Sequence, residues 1–477
     1  MGKTISSFFW RLAERCGAQG VSFIVTILIA RLVTPTEYGT VALATVYANV
    51  LQVFVDSGMG SALIQKKDSN DVDFSTVFYF NVFMSFLVYF IVFFTAPLVA
   101  SFYKQPIITK YIRVFSVNIL ISGVKNIQQA YVSKHLIFKK FFFATLGGTV
   151  VSGFVGLLLA YKGFGCWALI AQILTNSLVD TIILWVIVPW RPTYAFEMKR
   201  LRGFVSFGWK LLASSLIDSV YNNYTSVLIG KIYSSESLAF YNKGNTFPSL
   251  LVQNINSSLD SVLLPTMAQD QDNKTRLKEL VQTSICVSTY LLAPMLVGLL
   301  VVSDSLIPVL LTEKWDPCII FVKVFCLYYL IYPIHTSNLN AINALGRSDI
   351  FLKIEMIKKI VGIVIIFVSM KHGTLAVAFG MLLSGLLSQI INASPNSKLI
   401  DYGYLKQIKD VLPNILMSAV MGIVVSQIKL LNFSYIPTLL LQIIIGVIIY
   451  FMVSIIFKPF GYRYLLTTIK RIHIKPT

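Results

Sequence analysis

Apolar residues fill long stretches of the chain from end to end, and polar residues gather in short segments between them. Each apolar stretch is about 20 residues or longer, the length that an α-helix needs to cross a hydrocarbon core of about 30 Å. The predicted spans are 10–33, 39–63, 75–102, 108–133, 141–161, 165–189, 205–232, 237–265, 279–303, 317–345, 350–371, 373–394, 408–430 and 434–458. The pattern predicts an all-α polytopic membrane protein with about fourteen transmembrane helices and no soluble domain.

The connections between the predicted spans alternate between basic-rich and basic-poor. If the N-terminus is cytoplasmic, the basic-rich connections, such as those that hold Lys66 and Lys67 or Arg191 and Arg200, lie inside. Cytoplasmic loops of membrane proteins carry an excess of Lys and Arg, so we expect both termini in the cytoplasm. The formal net charge of +19 then reflects orientation and attraction to anionic headgroups, and we expect no nucleic-acid partner.

The sequence lacks the usual marks of catalysis or of a bound cofactor. No glycine-rich phosphate-binding loop is present, the four histidines are scattered, and the five cysteines stand singly without a C-x-x-C pair. The acidic stretches at 68–74 and 269–273 are interpreted as solvated turns and helix caps. We therefore expect no enzyme activity, no metal site and no cofactor.

A weak internal repeat divides the chain. ARLVTPTEYGTV at 30–41 aligns with GKIYSSESLAFY at 230–241, and APLV at 96–99 aligns with APML at 293–296. The expected parts are an N-lobe at 1–189, a cytoplasmic linker at 190–204, a C-lobe at 205–394, two further helices within 395–458 and a basic cytoplasmic tail at 459–477. Six spans in each lobe give both lobes the same orientation, so the pattern predicts a parallel repeat with a central cavity between the lobes.

Ionisable and amide side chains occur inside the predicted spans, where a charge costs at least about 2.5 to 3.5 kcal/mol. The candidates for a hydrated cavity are Arg11 and Arg15 in the first span, Lys125 in the fourth, Lys210, Asp218 and Asn222 in the seventh, Lys243 and Asp260 in the eighth, and Lys323 in the tenth. Snorkelling of the arginines to the headgroups and an internal ion pair between Asp180 and one lysine remain open. The surplus of cations favours an anionic ligand.

Several segments carry a family resemblance. They include ARLVTPTEYGTVALA (30–44), DSGMGSALIQKKD (56–68), SFGWKLLASSLI (206–217), IGKIYSSESLAFYNKG (229–244) and NALGRSD (343–349). With these segments the chain resembles the Wzx-type polysaccharide-export flippases of the multidrug/oligosaccharidyl-lipid/polysaccharide exporter superfamily. Within that superfamily it is similar to the branch of colanic-acid and teichuronic-acid export proteins. The resemblance covers about residues 8–395.

The resemblance implies a MATE-like fold of two six-helix lobes around a cavity, with two C-terminal helices added. It implies transport of an undecaprenyl-pyrophosphate-linked oligosaccharide from the inner to the outer leaflet of the bacterial inner membrane, by alternating access, for exopolysaccharide, O-antigen or capsule synthesis. Arg and Lys suit a pyrophosphate ligand, and the cavity arginine of related lipid II flippases corresponds to Arg15 or Arg11. The implied partners are the lipid-linked oligosaccharide, membrane lipids, the polysaccharide polymerase and chain-length proteins. The coupling ion, Na⁺ or H⁺, is left open.

Three other functions fit parts of the pattern. A cation-coupled multidrug or small-molecule exporter of the same fold would depend on carboxylates. A membrane glycan polymerase would need a long outer loop with essential Arg or His, and a scaffold would tolerate changes inside the cavity.

Overall fold

The computed structural model describes residues 2–56 and 58–474, with side chains described for residues 17–467 except Ser57, 257–262, 264 and 265. Every regular element in this part of the chain is helical. The chain forms two compact units, Met1–Ala239 and Phe240–Thr477. The predicted all-helical, multi-pass membrane architecture is confirmed.

The helices of the first unit are α1 (Gly2–Leu32), α2 (Pro35–Asp56), α3 (Met59–Gln65), α4 (Asp71–Tyr103), α5 (Ile108–Phe115), α6 (Val117–Lys134), α7 (Lys139–Tyr161), α8 (Cys166–Ile187) and α9 (Met198–Ile232). The helix α10 (Ser235–Gln269) crosses the boundary between the units. The remaining helices are α11 (Lys274–Leu311), α12 (Ile319–Leu330), α13 (Tyr332–Ala344), α14 (Ser348–Ser369), α15 (Thr374–Leu399), α16 (Tyr404–Gln427), α17 (Tyr435–Phe457) and α18 (Phe460–Ile474).

Three predicted spans are divided into two helices each. The span 39–63 is interrupted at Gly58, between α2 and α3; the span 108–133 is interrupted at Ser116; and the span 317–345 is interrupted at Ile331. Among the described residues, nine helical segments are long and apolar enough to cross a bilayer. The number of fourteen spans therefore stays a prediction.

The outer surfaces of the long helices are apolar, as a lipid environment requires. On α17 the exposed residues include Ile444, Val447 and Phe451, whereas the buried positions include Gln442, Gly446 and Ser454. A soluble protein rarely exposes such large apolar patches. The polar positions of α17 thus face protein and its apolar positions face lipid.

The first pair of repeat segments shares a capping geometry. The backbone N–H of Glu37 donates to Thr34 Oγ1 at 3.3 Å, and the backbone N–H of Ser237 donates to Ser234 Oγ at 3.0 Å. Such caps satisfy N–H groups that have no partner within the helix. The two turns are also in direct contact at Gly39, where an added Cβ atom would lie 1.7 Å from the carbonyl oxygen of Ser235. The repeat therefore recurs as matching helix starts at α2 and α10.

The helix α9 packs on α2, α3 and α4, and two glycines meet at one close approach. Gly58 has φ +90°, and a Cβ atom there would lie 2.3 Å from the carbonyl oxygen of Gly208. By packing, α9 belongs to the first unit. The predicted lobes at 1–189 and 205–394 rest on the sequence repeat and stay a prediction.

A buried carboxylate ties the start of α4 to the first turn of α9. Asp73 is fully buried and accepts hydrogen bonds from Lys66 Nζ at 2.7 Å and from Arg200 Nη1 at 3.2 Å. Its Oδ2 atom also accepts from the backbone N–H of Asn70, which completes a capping box. The predicted linker, 190–204, is thus fixed to the first unit at this point.

In the second unit a buried amide cluster joins three helices. Asn338 Nδ2 on α13 donates to Gln407 Oε1 on α16 at 2.7 Å, and Asn396 Nδ2 on α15 donates to Asn338 Oδ1 at 2.7 Å. All three side chains are fully buried. Mutually bonded amides of this kind stabilise helix contacts where no water is present.

We expect Gly58→Ala to destabilise the first unit. The fold would hold the alanine at a positive φ, at a cost of order 1–3 kcal/mol, and its methyl group would also overlap the backbone of Gly208. Thermal unfolding of the purified protein in detergent measures the effect. Gly60→Ala is the matched control, since a Cβ atom there meets only Ala130 Cβ, at 3.8 Å. Equal melting temperatures for the two variants would contradict this account of the contact.

Candidate functional site

A polar row runs along the exposed side of α9. It consists of every fourth residue over more than four turns: Ser206, Lys210, Ser214, Asp218 and Asn222, all of them exposed. Adjacent members of the row are neighbours on the helix surface, and each step of four residues turns the row by about 40° around the helix axis. Gly208 and Gly230 lie on a side of α9 that is buried against the rest of the first unit. The helix therefore combines a packed side with a row of exposed polar side chains that winds slowly around it.

Lys210 is distinguished within this row by its electrostatic surroundings. In the part of the chain whose side chains are described, its Nζ atom takes part in no ion pair. Asp218 lies eight residues further along, about 12 Å at 1.5 Å per residue, so the two charges do not meet directly. An exposed, unpaired cation on an apolar helix needs water or an anion beside it.

Lys125 instead forms an internal ion pair. Its Nζ atom lies 3.5 Å from Asp180 Oδ2, and the two side chains are only 17% and 8% exposed. The helices α7 and α8 approach closely at Gly148, where an added Cβ atom would lie 3.2 Å from Asp180 Cβ. The internal ion pair between Asp180 and a lysine, which the sequence left open, is therefore observed. This ion pair links α6 to α8.

Lys323 takes part in a three-residue cluster in the second unit. Its Nζ atom donates to Asp304 Oδ1 at 2.7 Å, and Lys429 Nζ donates to Asp304 Oδ2. The sequence analysis named neither Asp304 nor Lys429 as a site residue. The acidic partner lies on α11 and the second lysine lies after α16, so only the folded chain brings them together.

Lys243 is almost completely buried, at 2% exposure, and its Nζ atom lies 5.6 Å from the ring centroid of Trp315. Cations lie favourably over the faces of Trp rings. The side chain is held among the aromatic residues of the second unit, where a Cβ atom at the neighbouring Gly244 would lie 2.3 Å from Phe321 Cβ. Lys243 thus contributes to packing in this conformation.

The side chains of three other candidates, Arg11, Arg15 and Asp260, lie outside the described residues. Among the residues that are described, no group of three or more His, Cys, Asp or Glu side chains could hold a metal ion.

Ion pairs outside the helices are of a different kind. Asp401, between α15 and α16, is 78% exposed, and its bonds to Lys406 and Lys278 lower its pKa. Exposed pairs of this kind contribute little to stability because water screens them. The pairs at Asp180 and Asp304 are more enclosed, and each holds two or more helices together.

An uncharged cavity of about 460 Å³ was not foreseen from the sequence. It lies in the first unit and is lined by Ser22, Thr26, Tyr38, Val41, Ala42, Thr45, Leu169, Gln172, Ile173, Asn176 and Ser177. None of these residues is charged, so none of them is among the ionisable candidates of the sequence analysis. The signal available in the sequence was Gln172, Asn176 and Asp180 at four-residue spacing.

Comparison with known proteins identifies the family. The model of the family described as "Polysaccharide biosynthesis protein" matches residues 28–320. The chain belongs to this family. The teichuronic acid biosynthesis protein TuaB of Bacillus subtilis is 24% identical over 336 residues, which cover 69% of each chain. The lipopolysaccharide biosynthesis protein WzxC of Escherichia coli is 24% identical over 403 residues, which cover 82% of this chain and 79% of the other.

Solved structures give the fold. The lipid II flippase MurJ in an inward closed conformation superposes with a TM-score of 0.75 at 18% identity, covering 96% of this chain and all of the other. An inward-facing multidrug resistance MATE family transporter of the MOP superfamily superposes with a TM-score of 0.63 at 14% identity, covering 80% of this chain and 94% of the other. The expected family of polysaccharide-biosynthesis proteins is thereby confirmed, and so is the expected MATE-like fold class.

We expect the Lys125–Asp180 pair to behave as one unit. Lys125→Met or Asp180→Asn alone leaves a largely buried charge without its partner and is expected to cost about 3 kcal/mol. The double variant removes both charges and is expected to lose much less than the sum. Denaturation with sodium dodecyl sulfate in mixed micelles measures all three variants. Lys162→Met, at an exposed connection, is the control; additive losses in the double variant would exclude the coupling.

Proposed function

We propose that the protein is a flippase that moves undecaprenyl-pyrophosphate-linked oligosaccharide units from the inner to the outer leaflet for polysaccharide synthesis. The observation that carries the proposal is the family match over residues 28–320. The names of TuaB and WzxC associate two relatives with teichuronic acid and with lipopolysaccharide. A fold shared with a lipid II flippase provides a scaffold for such transport.

The proposed contact to the pyrophosphate is Lys210. Of the four candidate lysines, Lys125 and Lys323 form ion pairs with Asp180 and Asp304, and Lys243 is buried beside Trp315. Lys210 is exposed on the polar row of α9. A phosphate oxygen beside an ammonium group forms a charge-assisted hydrogen bond, about twice as strong as a neutral one.

Asp218 and Asn222 extend the same row along α9. The carboxylate of Asp218 repels a pyrophosphate that approaches it and limits how tightly the anion is held. The amide of Asn222 offers a donor and an acceptor to sugar hydroxyls. Arg11, Arg15 and Asp260 are kept as further candidates of the same cavity on sequence grounds.

Transport would proceed by rocking of the two six-helix lobes about the cavity, with both termini in the cytoplasm of a bacterial cell and the chain in the inner membrane. The basic connections at Lys66, Lys134 and Arg200 support this orientation. The polysaccharide polymerase and chain-length proteins are the proposed partners downstream. The coupling ion is left open between Na⁺ and H⁺.

The same fold also serves multidrug exporters, which bind cations. Such a ligand needs an available carboxylate inside the spans. Asp180 and Asp304 are each engaged by lysine in the described part of the chain. Asp218 is exposed but shares the polar row of α9 with Lys210. The surplus of cations among the candidate residues favours an anionic substrate over a cationic drug.

We expect Lys210→Ala to slow flipping tenfold or more, because one charge-assisted contact contributes about 1.5–3 kcal/mol. The assay places the full-length protein in liposomes with a fluorescent undecaprenyl-pyrophosphate oligosaccharide. It scores the label that becomes accessible on the opposite leaflet.

Lys210→Arg is expected to retain most of the rate, and Lys162→Ala serves as the control for a lysine outside the helices. Wild-type rates in Lys210→Ala would exclude the role of that residue. Absence of flipping under every ion gradient, together with efflux of a cationic dye, would replace the flippase by a drug exporter.

A further inference from the structure

Beside Tyr38 and four apolar residues, six of the side chains that line the uncharged cavity of the first unit carry an aliphatic hydroxyl or an amide group. Ser22 and Thr26 of α1, Thr45 of α2, and Gln172, Asn176 and Ser177 of α8 are hydroxyl and amide groups. Each can donate and accept hydrogen bonds. With a volume of about 460 Å³, the cavity is within the range of small-molecule sites.

Much of this hydrogen-bonding capacity is unused within the protein. Thr40, Thr149 and Thr181 each donate to the backbone carbonyl four residues earlier, the usual arrangement for a hydroxyl inside a helix. In the described part of the chain, by contrast, the side chains of Thr26 and Gln172 make no hydrogen bond. The side chains of Ser22 and Ser177 make none either.

The hydrogen bonds of Asn176 leave its side-chain oxygen atom as an available acceptor. Its Nδ2 atom donates to Ser152 Oγ at 3.2 Å and lies 3.4 Å from Thr149 Oγ1. Both donors of the amide therefore have partners, and Oδ1 is left to accept from a ligand. Gln172 is likewise held close to α7, since a Cβ atom at Gly156 would lie 2.9 Å from Gln172 Cβ.

The absence of charge among the lining residues discriminates between ligands. A pyrophosphate or a metal cation would find no counter-ion in this lining. A sugar is neutral, and each of its hydroxyls needs one donor and one acceptor, which Ser, Thr, Asn and Gln supply together. The aromatic ring of Tyr38 adds an apolar surface in the same cavity.

The cavity adjoins the charged part of the unit. Asn176 precedes Asp180 by four residues on α8, a rise of about 6 Å. Asp180 is paired with Lys125, so this ion pair and the neutral cavity occupy successive turns of α8. Charged and uncharged ligand groups would thus meet different surfaces.

We propose that the cavity between α1, α2 and α8 is a carbohydrate-recognition site that selects the oligosaccharide of the lipid-linked substrate. This inference rests on the proposed function and deepens it. The pyrophosphate binds elsewhere, at Lys210, and the sugars bind through Thr26, Gln172, Asn176 and Ser177. Recognition by neutral groups explains how one site can choose among substrates that share the same lipid pyrophosphate.

The test compares two ligands on the full chain in lipid nanodiscs. One ligand is the lipid-linked oligosaccharide extracted from producing cells that lack this protein, and the other is undecaprenyl pyrophosphate without sugar. Thr26→Val and Gln172→Leu remove polar groups that make no hydrogen bond in the described structure, so folding is not at stake. Each is expected to weaken binding of the glycosylated lipid three- to tenfold and to leave binding of the bare lipid unchanged.

Thr40→Val is the matched control on α2, because its hydroxyl is bonded to Thr36 and does not line the cavity. Equal affinity of the wild type for the two lipids, or an equal loss for both ligands in the variants, would overturn the sugar site while the flippase stands. Failure of the wild type to bind or move either lipid would overturn the proposed function and the sugar site together.

Discussion

An ionic side chain cannot be left dry in the hydrocarbon core, and this constraint orders the interior of the protein. The four candidate lysines meet it in three ways. Lys125 and Lys323 have carboxylate partners, Lys243 lies over an indole ring, and Lys210 stays exposed on a polar row. The first three lysines stabilise the helix packing, and Lys210 leaves one positive charge available to a ligand.

Close helix contacts are the second requirement, because a pair or a cavity forms only where helices approach at a defined distance. Gly148 and Gly156 on α7 allow α8 to lie against it and so place Asp180 and Gln172. In water, apolar attraction drives helices together. In a bilayer the lipid tails are as apolar as the side chains, so helices associate instead through close packing, which glycine allows. The ionic pair and the neutral cavity thus depend on the same α7–α8 contact.

The positions of most helices could be predicted from the sequence, because the two ends of an apolar run indicate where a span begins and ends. The break at Ile331 could not, since this residue continues the apolar pattern. The candidate lysines were also visible, but their partners were not: Lys429 lies beside Asp304, 125 residues away in the chain. Pairing across helices depends on folding, and neutral lining residues such as Thr26 carry no signal that separates them from ordinary helix residues.

The cluster of Asp304 with Lys323 and Lys429 combines one negative charge with two positive charges. It therefore has a net positive charge that is fixed to three separate segments of the second unit. An elementary charge that crosses the full membrane gains or loses about 2.3 kcal/mol per 100 mV. Any movement of this cluster along the membrane normal is consequently sensitive to voltage, in proportion to the fraction of the field that it crosses. The resting potential of the cell would bias the balance between conformations even without a coupling ion.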